Sequence, residues 1–100
     1  PSQCDIMRIR QGGARHFDVD RMDILSARRL KEFAVPRQVA MYLSRKLTLR
    51  SFPEIGRRFG DRDHTTVIHG ARKIARMMIA DPAFGDMVRG LAKQLGGTLE

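Results

Sequence analysis

Ser51-Phe52-Pro53-Glu54-Ile55-Gly56-Arg57-Arg58-Phe59-Gly60-Asp61-Arg62-Asp63-His64-Thr65-Thr66-Val67 holds the strongest structural signals of the chain. Ser51 to Glu54 has the spacing of a capping box, in which the serine hydroxyl accepts the N3 amide hydrogen bond and Glu54 reaches back to the cap. Phe52, Ile55 and Phe59, spaced three and four apart, give that helix one buried face, and Gly56 leaves room for another helix to approach. Gly60 ends it, because glycine takes the left-handed C′ conformation without strain. Asp63 can then cap a longer helix with an inner stripe of Val67, Ala71, Ile74 and Met78, which leaves Thr66, His69 and Lys73 on the outer face. Two helices joined by a short glycine-containing turn, over about residues 51–79, predict a helix-turn-helix.

Working outward, Pro36 suits the first turn of a supporting helix whose apolar stripe is Val39, Tyr42, Leu43 and Leu47. Before it, Arg28-Arg29-Leu30-Lys31 reads as an irregular basic stretch, preceded by a short helix capped by Asp20 that runs through Met22, Ile24 and Leu25. Ile6, Ile9 and Phe17 suggest a first helix interrupted at Gly12-Gly13 and weak there, since each glycine costs about 1 kcal/mol against alanine in a helix interior. Downstream, Asp81-Pro82 is an N-cap and first residue of a last helix, buried through Phe84, Met87 or Val88, Leu91 and Leu95, until Gly96-Gly97 frees the tail. Strand signals, repeats and linkers are lacking, so residues 1–100 are expected to form one small all-α domain with methionines filling the core.

Composition narrows the function classes. One hundred residues with 42% apolar and 30% charged content suit one globular core, and no apolar run approaches the roughly 20 residues of a membrane span. No secretory signal opens the chain, and the lone Cys4 cannot form an internal disulfide, so a reducing cytoplasmic setting is expected and Cys4 has no assigned role. The formal charge of +8 is concentrated: between Arg28 and Arg76 thirteen Lys/Arg face four acids, Glu32, Glu54, Asp61 and Asp63. Such a basic centre suits a polyanion, either nucleic acid or an acidic membrane surface. The shortage of aromatics interleaved with the basic residues speaks against the membrane.

The N-terminal residues of the second helix of such a motif enter the major groove, where free backbone N–H groups and the positive end of the helix dipole face the DNA. Here that end reads Arg62-Asp63-His64-Thr65-Thr66, and its types suit base reading: a carboxylate accepts from the cytosine amino group, threonine offers a hydroxyl and a methyl, and histidine donates, accepts or packs. His64 and His69 stand about 140° apart around a helix with no cysteine or nearby carboxylate to complete a ligand set, so no metal is expected. Asp63 and His64 are adjacent, and neighbouring helical residues point about 100° apart, which argues against a catalytic base and its orienter. The sequence also lacks a G-x-x-x-x-G-K-[ST] phosphate loop, so no enzyme activity and no cofactor are expected; ATP would belong to a separate ATPase domain.

Val35 to Ile74, with V-P-R-Q-V-A-M-Y-L and S-F-P-E-I-G-R-R-F-G-D-R-D-H-T-T-V-I-H-G-A-R-K-I, closely resembles the C-terminal domain of the bacterial DnaA replication initiators. The likeness runs on more loosely upstream through Arg28-Arg29 and Asp23-Ile24-Leu25-Ser26 to His16-Phe17, and the last twenty residues agree only in helical pattern. It implies a fold of the Trp repressor-like, DnaA C-terminal type, which binds the double-stranded DnaA box as a monomer. Residue by residue it assigns base reading to Asp63, His64 and Thr65, and minor-groove reading to Arg29 in the upstream basic loop. It places Arg37, Gln38, Arg45, Pro53, Thr66, His69 and Lys73 near the phosphates, and Arg62 beside them at the helix entry belongs with the backbone contacts. A nucleoid-associated role in starting or controlling replication follows. Val35 replaces a basic residue often found before that proline, and Gly12-Gly13 interrupts the helix that would continue from an ATPase domain. The alternative is a free-standing regulator that competes for DnaA boxes or contacts the initiator or its regulators. The Pro1-Ser2 start, from which an initiator Met is readily removed, slightly favours such a small protein.

Overall fold

The structure, a computed structural model, describes residues 5–17, 31–97 and 99. Among them five helices follow one another: α1 (Ile6–Phe17), α2 (Lys31–Leu47), α3 (Phe52–Arg58), α4 (His64–Ala80) and α5 (Pro82–Gln94). The expected helix after Asp20, the basic stretch from Arg28 to Leu30, and Cys4 lie outside the described residues.

α2 is the axis of the domain. It packs most extensively on α4 and next on α1, and touches α3 and α5. The sequence pattern gave it one apolar stripe, but Val39, Ala40, Met41, Tyr42, Leu43 and Ser44 are all buried in succession. A helix covered on several sides needs no polar face over those turns. Buried Ser44 is satisfied locally, its hydroxyl donating to the Ala40 carbonyl at 2.8 Å. α2 also begins earlier than expected: Lys31 is already helical and Pro36 lies inside the helix, not in its first turn. Pro36 therefore removes one backbone donor near the helix start.

α1 is continuous through Gly12-Gly13, contrary to the expected interruption, with Ile6, Ile9, Gly13 and Ala14 buried. The packing accounts for the first of these glycines. A Cβ on Gly12 would stand 2.6 Å from Leu95 Cδ2, so its absence lets the end of α5 close on α1, and Gly13 faces Ala40 of α2.

The last helix starts as expected, with the Asp81 carboxylate accepting from the amides of Ala83 at 3.1 Å and Phe84 at 3.3 Å. Its inner face is Gly85, Val88, Leu91 and Ala92, with Phe84 and Met87 half-buried. Gly96-Gly97 does not release the chain. Gly96 adopts φ +88° and its N–H meets the Lys93 carbonyl, while the Gly97 N–H meets that of Ala92, which closes the helix as a Schellman motif. Gly97 then lies against Leu47, and Leu99 packs on the core.

Candidate nucleic-acid interface

The two helices of the motif, α3 and α4, are set by their turn. Ser51 caps α3, its hydroxyl accepting from the Glu54 amide at 3.3 Å. The reciprocal half of the capping box is not made, because the Glu54 carboxylate turns to Arg50 at 3.1 Å and Arg58 at 3.9 Å. Ile55 and Phe59 are fully buried beneath the helix. Beyond Phe59 the backbone takes two left-handed residues, Gly60 at φ 78° and Asp61 at φ 59°. The chain then folds back so that the Arg62 N–H donates to the Gly56 carbonyl at 2.7 Å. A Cβ on Gly56 would lie 2.1 Å from the Arg62 carbonyl oxygen. Gly56 was expected to admit a second helix, and what it admits is the backbone of the turn itself. The Arg62 guanidinium is drawn into the same knot by donating to the Phe59 carbonyl.

α4 buries Val67, Gly70, Ile74 and Met78, with Ala71 half-buried beside them. Gly70 takes the inner place because a Cβ there would press on Gln38 of α2 at 3.1 Å from its Cγ. The opposite face carries Thr66, His69 and Lys73, all exposed as expected, and the helix opens on exposed Asp63, His64 and Thr65. Asp63 occupies the N-cap position with extended backbone but makes no side-chain cap hydrogen bond. Its carboxylate instead sits 3.2 Å from His64 Nδ1. The 100° step between neighbours, which argued against such a pair, holds only inside a helix, and Asp63 is still outside it. The His64 and Thr65 amides have no intrahelical acceptor and stand at the positive end of the dipole, whereas the Thr66 N–H already donates to the Asp63 carbonyl at 3.0 Å.

Four of the expected backbone contacts, Arg37, Gln38, Arg62 and Thr66, line one cleft between the start of α2 and the turn, together with Gly60 and Asp61. Arg37 is only 7% exposed, and burial pulls its pKa below the ordinary value. Gln38 Oε1 is buried without a hydrogen-bond partner. The place of Gly60 and Asp61 beside Thr66 was missed in the sequence, where Gly60 read only as a stop; a Gly-Asp pair able to take two left-handed steps was the available signal. Exposed Arg45 stacks its guanidinium 4.6 Å from the centre of the Phe52 ring and donates to the Arg50 carbonyl at 3.1 Å. Pro53 is exposed in the first turn of α3. Arg29 lies outside the described residues. Among the described residues no group of three or more His, Cys, Asp or Glu is placed to hold a metal, and no helix is long and apolar enough to cross a membrane.

The family described as bacterial dnaA protein helix-turn-helix matches residues 6–74. The chain belongs to this family. Relatives similar to this dnaA-type domain include the chromosomal replication initiator proteins DnaA of Rhodopseudomonas palustris strain BisA53 and Bradyrhizobium sp. strain ORS 278, each 53% identical over 95 residues. Those matches cover 95% of this chain, so the likeness extends past the family match into α5, where the sequence pattern alone had shown only helix. The chain spans 20% of the length of those relatives. A solved structure described as the crystal structure of a DNA replication initiation factor superposes with a TM-score of 0.81 at 39% identity, over 90% of this chain and 27% of the other. The dnaA-type helix-turn-helix is therefore the all-α fold seen here, with α3 and α4 as its two helices.

Proposed function

We propose that this domain binds double-stranded DNA in a sequence-specific way, recognising DnaA-box-type sites in the initiation of bacterial chromosome replication. The observation that carries the reading is the open end of α4. Asp63, His64 and Thr65 stand exposed there, and Thr66, His69 and Lys73 continue the same outward side of a dnaA-type helix-turn-helix.

In this reading α4 enters the major groove by its N-terminus. Asp63 accepts from a cytosine amino group, Thr65 offers its hydroxyl and methyl to a base edge, and the His64 ring donates, accepts or packs. Thr66, His69 and Lys73 hold phosphates and set the register, as do Arg45 and Pro53 on the flank, and Arg37, Gln38 and Arg62 around the cleft. Arg29 enters the neighbouring minor groove, where an A·T-rich sequence strengthens the negative potential. The domain acts as a monomer in the cytoplasm, at the nucleoid, with no catalytic step and no cofactor of its own.

A titration of a duplex carrying one DnaA box against a scrambled duplex of equal composition tests this. The box duplex is expected to bind at least tenfold more tightly. Its affinity should fall with salt at a log–log slope of about −3 to −4 if Arg37, Arg45, Arg62 and Lys73 each neutralise a phosphate. Equal affinity for the two duplexes would overturn the reading.

A further inference from the structure

α4 carries a second apolar stripe that its packing covers only in part. Its core stripe, Val67, Gly70, Ile74 and Met78, is buried against the domain. One residue further on, Ile68, Ala71, Ala75 and Ile79 repeat the same spacing; the first three are half-buried and Ile79 is 84% exposed. The stripe extends over about 16 Å at 1.5 Å per residue, three helical turns. Ile68, Ala71 and Ala75 form one wall of a trough whose other walls are Tyr42 on α2 and Phe52 at the start of α3, and Ile79 continues the stripe one turn beyond it. The outer face of Thr66, His69 and Lys73 lies about 150° away around the helix, so the stripe is not part of the proposed DNA-reading surface.

The rim has one sign of charge. Arg45, Lys46 and Arg72 line the trough with no acidic residue among its lining, and exposed Arg76 follows Arg72 one turn along. Arg45 and Lys46 are stacked over Phe52 and Tyr42, at 4.6 Å and 5.9 Å from the ring centres, which fixes their charges at the edge. A phosphate backbone would match the rim but leave the apolar floor unpaired. A second copy of this chain would bring a net charge of +8 against the same cations.

We infer that this trough is a docking site for an acidic amphipathic helix of another protein, its apolar residues on Ile68, Ala75 and Ile79 and its carboxylates on the cationic rim. A groove of about two turns, prolonged by exposed Ile79 and flanked by positive charge, suits a helix read through i, i+3/i+4 and i+7 anchors. This inference goes beyond the DNA-binding reading and does not depend on it, although the two surfaces meet at Arg45, which that reading places on a phosphate.

The test uses the isotope-labelled chain and two synthetic peptides of about 15 residues, a length that spans the stripe. One has leucines at i, i+4, i+7 and i+11 with glutamates flanking them, and the other is a permuted sequence of the same composition. The ordered peptide should bind saturably and at least tenfold more tightly than the permuted one, with amide shifts gathered on Phe52 and residues 68–79. Ile79→Asp and Ala75→Asp should each weaken it at least tenfold. Ile79→Asp, at an exposed position, should leave the melting midpoint and binding to box DNA unchanged, so a loss there is not a folding defect. Equal binding of the two peptides would overturn the inference, as would shifts centred on residues 63–66, where the peptide would be mimicking DNA. Shifts that grow with protein concentration in the absence of peptide would also overturn it, by making the occupant a second copy.

Discussion

Asp63 faces two claims on one carboxylate. In the free domain it rests 3.2 Å from His64 Nδ1; in the proposed complex it meets a cytosine amino group. Both residues are more than half exposed, so the exchange happens in water and costs little. Asp63→Ala is expected to remove about 1–3 kcal/mol of discrimination at one base position, read from titrations of single-base-variant duplexes. Lys73→Ala should weaken every duplex alike and make the salt slope shallower by about 0.9. Identical behaviour of the two variants would undo the division between reading and positioning. The outer residues of α4 were legible in the sequence because they are what remains once the inner stripe is subtracted. The Asp63–His64 contact was not, since the direction of an N-cap side chain depends on non-helical backbone that no residue spacing reports.

At the scale of elements, the turn between α3 and α4 was read correctly in length and punctuation, yet its closest contact was assigned to the wrong partner. Gly56→Ala separates the two ideas. Against another helix, an added methyl would meet yielding side chains; against the Arg62 carbonyl at 2.1 Å it forces the turn open. The expected loss is about 3 kcal/mol, at the upper end for overpacking, measured by denaturant unfolding. The two supporting helices show the other limit of sequence reading. Periodicity finds one buried face, so it understated α2, whose neighbours cover it on several sides. It also took Gly12-Gly13 for a break, where the glycine at 12 answers to Leu95, eighty-odd residues away. Local propensity yields to such long-range contact, and nothing local announces it.

Across the whole molecule, the basic centre and the core share residues. Tyr42 lies between them, 9% exposed, with burial raising its phenol pKa and Arg89 partly opposing that rise. A raised folded pKa favours the neutral phenol, so this stabilisation is complete below the unfolded value near 10 and is lost as pH climbs through the folded one. Melting midpoints should therefore fall in alkali, and Tyr42→Phe should show a smaller fall over the same range; equal falls would remove Tyr42 from the account. The all-helical plan was legible because caps and breakers bracket α3, α4 and α5, whereas the residues from 18 to 30, with Arg29 among them, lie outside the described structure. One further property follows from the turn being tied by main-chain atoms, with the Arg62 N–H on the Gly56 carbonyl. The tilt at which α4 is presented is set behind the residues that would do the reading. Asp63, His64 and Thr65 can then be exchanged like type in a fixed press: a library randomised at those three positions should keep the fold while changing the text it selects.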